Sequence, residues 1–361
     1  MNSFKPLLIK KLQGGGNSQI SIAKGIGIIL VVVGHSGAPS AVTNFIYSFH
    51  MPLFFILSGY FFKEITSFKQ LGNFTFKRIK GLWVPFVFYC SFFILLHNAL
   101  APFGFDNSLL WNKSEYLSHL KRLLIFKGEP YGYLPAFWFL RTLFLSSLLL
   151  ALFSYIKSLS GLKWNRLLIA ICVLGILLVA LFYFSGSKVI KLPALSIFFL
   201  CIGAAYRNTF ENKVSYGWGL LITSLVVTII CSQIFGFVQM KDVTHVFSLT
   251  YVGLSLVGFL FIMSLSFLVN IHSNIAKKVL TYIGNRTMVV LALHAIVFKF
   301  MNYFLQPLLN APHDAIYGLI LSGYGSALWL LYSFMGVVIP IVLVLFRDFM
   351  RALIAFKKNQ I

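Results

Sequence analysis

The chain has 361 residues, 59% of them hydrophobic and only 11% charged, whereas soluble domains carry about 25% charged residues, so an ordinary soluble domain is excluded. Thirty Lys and Arg against eight Asp and Glu give a formal net charge of +22. The basic residues lie mostly in short links between apolar runs, which is the pattern that sets membrane topology and not that of a nucleic-acid surface. Cys90, Cys172, Cys201 and Cys231 fall inside apolar runs at scattered spacings, so neither a disulfide nor a metal site is expected.

The expected fold is all-α: a polytopic transmembrane bundle of about ten helices. Apolar runs recur at the length of about 20 residues that crosses a hydrocarbon core, and they lack the period-2 alternation of a membrane barrel. Residues 1–19, polar and Gly-rich, read as a cytosolic tail. Spans follow at Ile20–Ser36, Thr43–Phe62, Leu82–Leu100, Leu134–Ile156, Arg166–Phe184, Ile190–Tyr206, Tyr216–Val238, Val246–Ile271, Thr287–Leu309 and Gly323–Phe346, making residues 20–346 one membrane domain before a cytosolic tail at 347–361. With the N-terminus inside, twenty basic residues fall on the cytosolic side and seven outside. This places the protein in the inner (plasma) membrane with both termini cytosolic. In the longest link, KSEYLSHLKRLLIFKG could lay Tyr116, Leu120, Leu123 and Leu124 on one face of a helix at the outer membrane surface.

Ionisable groups inside a bilayer cost several kcal/mol unless they snorkel, pair or face a wet cavity, so each one points to function. Lys24, Arg141 and Lys299 are the basic residues that fall within spans. In the first span, SIAKGIGIILVVVGHSG, Lys24 and His35 are eleven residues apart, about 16 Å along the axis and on nearly one face. Snorkelling to headgroups is the alternative for Lys24. In the second span, YSFHMPLFFILSGYFF, His50 precedes Pro52, which should bend the helix; a packing histidine is the alternative. The third begins FKRIKGLWVPF, where Arg78 and Lys80 could join Lys24 as a phosphate site or serve topology alone. Arg141 sits early in the fourth span and His294 near the middle of the ninth. All eight acidic residues lie in links or tail, which argues against a carboxylate proton relay.

Taken together, IAKGIGIILVVVGHS, FHMPLFFILSGYFF, KRIKGLWVPF, FWFLRTLF and YIGNRTMVVLALH resemble, in order and spacing, the integral-membrane acyltransferases of the acyltransferase-3 type. The likeness is strongest to the sugar O-acetylase branch that includes fucose 4-O-acetylase-like proteins. It covers nearly the whole chain and departs at Ser21, where many relatives carry an acidic residue, and at the Arg-x-Lys of the third span, where much of the family has Arg-x-x-Arg.

The resemblance implies transfer of acetyl from acetyl-CoA to a hydroxyl of a cell-surface polysaccharide or its lipid-linked precursor. His35 would be the catalytic histidine and Lys24 its basic partner, with Arg78 and Lys80 meeting the CoA phosphates. Arg141 and His50 would stabilise the oxyanion or hold the sugar, and His294 and Trp138 would contact substrate. No permanently bound cofactor and no metal is expected; acetyl-CoA, a glycan or lipid-linked sugar, and membrane lipids are the partners, and nucleic acid is not. A transporter or flippase for an anionic glycolipid, and a noncatalytic scaffold, are the alternatives.

Overall fold

A computed structural model describes residues 16–104, 110–124, 134–160, 163, 164, 168, 188–242 and 248–358. The expected N-terminal tail, up to residue 15, and the expected fifth span Arg166–Phe184, apart from Leu168, lie outside these residues. Among the described residues every regular element is a helix, and eight helices are long and apolar enough to cross a membrane. The protein is a multi-pass membrane protein. The chain divides into two compact units, one comprising residues 1–27, 40–87 and 138–282, the other residues 28–39, 88–137 and 283–361.

The first unit holds the start of α1 (Gly16–His35), then α2 (Ser40–Tyr47), α3 (His50–Tyr60), α4 (Phe68–Arg78), α7 (Trp138–Ser160), α8 (Lys188–Ala205), α9 (Trp218–Phe235), α10 (Ser248–His272) and all but the last two residues of α11 (Asn274–Gly284). The pattern on α9 is that of a membrane helix. Ser224, Thr228 and Ser232 are buried, while Ile222, Val226, Ile229 and Ile230 are exposed. The Thr228 and Ser232 hydroxyls donate to the carbonyls of Ser224 and Ile229 on the same helix, so burying them leaves no donor unmet.

The expected second span is not one bent helix. It breaks at Ser48–Phe49 and restarts at His50, which puts Pro52 in the first turn of α3, where a missing N–H removes no intrahelical bond. The Ser48 carbonyl, which Pro52 could not serve even in an unbroken helix, faces the Ser255 hydroxyl at 2.9 Å, whose proton it shares with the Tyr251 carbonyl at 2.7 Å. The helix that carries the third span begins earlier than expected. It runs from Phe68 to Phe103, through α4, a π turn at Ile79–Trp83 and α5 (Val84–Leu100). Pro85 cannot donate to Gly81, and the wider turn, closed by Val84 N–H donating to the Ile79 carbonyl, lies immediately before it.

In the second unit α12 (Thr287–Leu308) packs along α13 (Gly325–Lys358). At 34 residues α13 is about 51 Å long, well beyond a hydrocarbon core of about 30 Å, so the expected stop at Phe346 is overrun. An ion pair from Arg286 to Asp348, at 3.2 Å, ties its far part to the start of α12.

The helix expected in the longest link is present as α6 (Lys113–Leu124). The Asn112 side chain accepts from Ser114 and Glu115 N–H, and the Glu115 carboxylate accepts from Asn112 N–H, a reciprocal cap. Leu123 is buried, whereas Leu124, expected on the same face, is exposed. The segment is docked by Asn98, whose amide grips both backbone groups of Trp111 at 2.8 Å. The Trp111 ring is sandwiched between His97 and His119, with centroids 3.6 and 4.0 Å away.

Burial, with Arg122 and His97 close by and Glu115 opposing, holds His119 below its ordinary pKa of 6.5. The undocked segment therefore takes up the proton more readily than the docked one. The stack therefore favours docking most above about pH 6.5 and less as the pH falls through the lowered value. Trp111 emission, taken as the difference between wild type and Trp111→Phe, should change between about pH 7 and pH 5. Emission invariant over that range would contradict the stack.

Candidate functional site

Two histidines far apart in sequence meet in the second unit. His35 is the last residue of α1, and its Nδ1 lies 3.0 Å from Nε2 of His294 on α12. The ring planes differ by 9° and the centroids are 5.2 Å apart. The centroid separation exceeds the N···N distance by about one ring width, so the rings lie edge to edge and the contact is an in-plane hydrogen bond.

The tautomers follow from the partners. His294 is fully buried, and its Nδ1 lies 3.1 Å from the Val290 carbonyl, which can only accept, so this nitrogen carries the proton. Neutral His294 then has its lone pair on Nε2, and His35 Nδ1 must donate to it. This makes Nε2 the basic nitrogen of neutral His35. The pair forms a relay in which a proton gained at His35 Nε2 leaves a charge shared along the His35–His294–Val290 line.

The surrounding elements fix this geometry. Phe298, one turn after His294, stands edge-on to it with centroids 5.8 Å apart, and Tyr332 of α13 stands edge-on to Phe298. Beyond His35 the chain turns sharply at Gly37, whose φ of +81° favours glycine. Ser36 donates to the Val33 carbonyl and accepts from Ser333 of α13 at 2.9 Å.

The remaining expected site residues lie in the first unit. Lys24, half-buried on α1, points its Nζ at the Phe61 ring, 6.0 Å from the centroid, and Arg78 lies 4.9 Å from the Phe74 centroid. Phe74 in turn meets Phe62 edge-on at 5.3 Å, so each cation lies over an aromatic ring of the first unit. Lys80 is exposed in the π turn. His50, 3% exposed, donates from Nδ1 to the Ile46 carbonyl at 2.8 Å and bridges the break between α2 and α3. Arg141 is half-buried on α7, one turn after the buried Trp138.

Sequence reasoning set His35 among the first four helices and gave His294 a place in the substrate wall. The structure makes His294 the direct partner of His35. Asn302 and Tyr332 were missed. The available signal was Asn302 falling at i+8 from His294, on the same helix face.

The family model described as an acyltransferase domain matches residues 17–347. The nodulation protein NolL of Sinorhizobium fredii (strain NBRC 101917 / NGR234) is 30% identical over 220 residues, which is 56% of this chain and 52% of that protein. The match thus spans about half the length of this relative. No solved structure matches the chain significantly.

Proposed function

Because this chain belongs to the type 3 acyltransferase family, we propose that it is a membrane O-acyltransferase that moves acetyl from acetyl-CoA to a hydroxyl of a cell-surface polysaccharide sugar or its lipid-linked precursor. The observation that carries this reading is the hydrogen-bonded line from Val290 through His294 to His35. It leaves His35 Nε2 as a base, the group that acyl transfer to a hydroxyl requires.

In this reading His35 Nε2 takes the proton of the acceptor hydroxyl as its oxygen attacks the thioester carbonyl. That attack forms the C–O bond and a tetrahedral oxyanion; its collapse re-forms the carbonyl and breaks the C–S bond, and the departing CoA thiolate takes the proton back from His35. His294 accepts the Nδ1–H hydrogen bond throughout and holds the ring in register. Arg141 serves the developing oxyanion or the sugar, with Trp138 as a substrate contact. Lys24, Arg78 and Lys80 serve the CoA phosphates; that Lys24 and Arg78 are both half-buried cations of the first unit supports this assignment. The excess of basic residues in alternate links supports an inner-membrane placement with both termini cytosolic. Acetyl-CoA enters as a substrate, and no resident cofactor is invoked.

Membrane vesicles carrying the protein, supplied with radiolabelled acetyl-CoA and envelope extract from cells lacking the gene, should transfer label into alkali-labile esters. Lys24→Met and Arg78→Met should each raise the KM for acetyl-CoA about tenfold, the loss of roughly one charge-assisted hydrogen bond, with kcat little changed. An unchanged KM in both would assign these cations to topology and lipid contact. Movement of a lipid-linked glycan across the bilayer without release of CoA would overturn the enzyme reading.

A further inference from the structure

Lys299 and Asn302 are buried on α12, beyond His294, at 2% and 0% exposure, and Tyr332 is equally buried on α13. The Lys299 ammonium donates to the Tyr317 carbonyl at 2.7 Å and the Gly104 carbonyl at 3.3 Å. The Asn302 amide donates to the carbonyls of Ile316 and Gly318 at 3.3 and 3.1 Å, and its oxygen accepts the Tyr332 hydroxyl at 2.6 Å. That hydroxyl in turn accepts the Leu321 N–H at 3.2 Å. Three side chains thus satisfy four backbone groups between residues 316 and 321. This segment lies between α12 and α13 and has little regular structure beyond the 3-10 turn His313–Tyr317.

The held segment bears directly on the turn after His35. Ile320 seats against the bare faces of Gly37 and Gly325: a Cβ added to either would lie 2.3 or 2.4 Å from Ile320 Cδ1. Gly37 is two residues from His35, and Ser333 holds the intervening Ser36. Tyr332 also reaches the dyad through its edge contact with Phe298, which stands against His294.

We infer that Lys299, Asn302 and Tyr332 are positioning residues that seat the 316–321 segment against Gly37 and so hold the His35 ring in line with His294. This rests on the proposed role of the dyad. Buried hydrogen bonds of this kind also stabilise a fold, so the test needs readouts that stability alone does not move.

Tyr332→Phe deletes one hydroxyl and keeps the ring. In the vesicle assay with radiolabelled acetyl-CoA and envelope extract, kcat should fall about 10- to 100-fold, the range expected for a displaced reacting group, while the KM for acetyl-CoA stays unchanged. Placed in a His294→Ala background, Tyr332→Phe should cause no further loss, because both changes act through one ring. If Tyr332→Phe fails to accumulate, Asn302→Asp keeps the acceptor for Tyr332, removes the two N–H donors and should give the same pattern. A melting temperature lowered beside an unchanged kcat would make the three residues purely structural and overturn the inference while the dyad stands. Full additivity with His294→Ala would also overturn it. An unchanged kcat in His294→Ala itself would overturn the dyad and this inference together.

Discussion

His35→Ala is expected to reduce acyl transfer by about 10²–10⁴-fold, the usual contribution of a positioned general base, while the protein still accumulates in the membrane. The loss should appear in kcat, because the imidazole acts on the acceptor proton and donor binding is assigned to other residues. The ring is half-buried at a helix end, so removing it opens no sealed core cavity, and the hydrogen bonds of Ser36 and Ser333 remain. His35→Gln should be no better than Ala, since an amide nitrogen has no basic lone pair. Initial rates with radiolabelled acetyl-CoA, beside detergent size-exclusion profiles, separate chemistry from folding. Transfer retained within a few fold would remove His35 from the base role.

The largest effect on assembly is expected at the crossing of α3 and α8. A Cβ on Gly59 would lie 2.0 Å from the Leu200 carbonyl oxygen. One on Gly203 would lie 2.0 Å from the Ile56 oxygen and 2.7 Å from the Tyr60 nitrogen. The obstacles are backbone, so no rotamer change relieves them, and small residues at this crossing are what allow the two helices to touch. Gly203→Leu must therefore drive the helices apart. Overpacking typically costs about 1–3 kcal/mol where side chains can yield, and here the cost should exceed that range, against a total stability of about 5–15 kcal/mol. The variant should disappear from the monodisperse size-exclusion peak. Gly72→Ala, at a position with no atom within 4 Å of the added Cβ, should leave the peak unchanged. A monodisperse, thermally unaltered Gly203→Leu would contradict the crossing.

Much of this was legible in the sequence for simple reasons. Lipid forces helices, and apolar length sets spans, so most of the expected spans reappear within a few residues. Lys24 and His35 on one apolar helix mark themselves by the cost of an ionisable group there, although the structure leaves both half-buried and puts His35 at the helix end. What escaped depends on partners distant in the chain. No spacing rule connects His35 to His294, 259 residues away, and the dyad exists only because α12 meets the end of α1. Pro52 marked a disturbance in the second span, but the hydroxyl that meets the Ser48 carbonyl comes from Ser255, which no local pattern identifies. The overrun of α13 past Phe346 is hidden because charge marks a membrane boundary and not a helix end. Lys299 was noticed as an in-span cation, yet its partners are backbone carbonyls, which carry no sequence signature.

The most direct test of the central claim is mass spectrometry of the surface polysaccharide from cells carrying the wild-type chain, cells lacking it, and cells carrying only His35→Ala. One sugar residue should bear an alkali-labile acetyl group in the first and lack it in the other two. An acetyl pattern identical in all three would contradict O-acetyl transfer by this protein, and acetylation preserved with His35→Ala alone would contradict its mechanism.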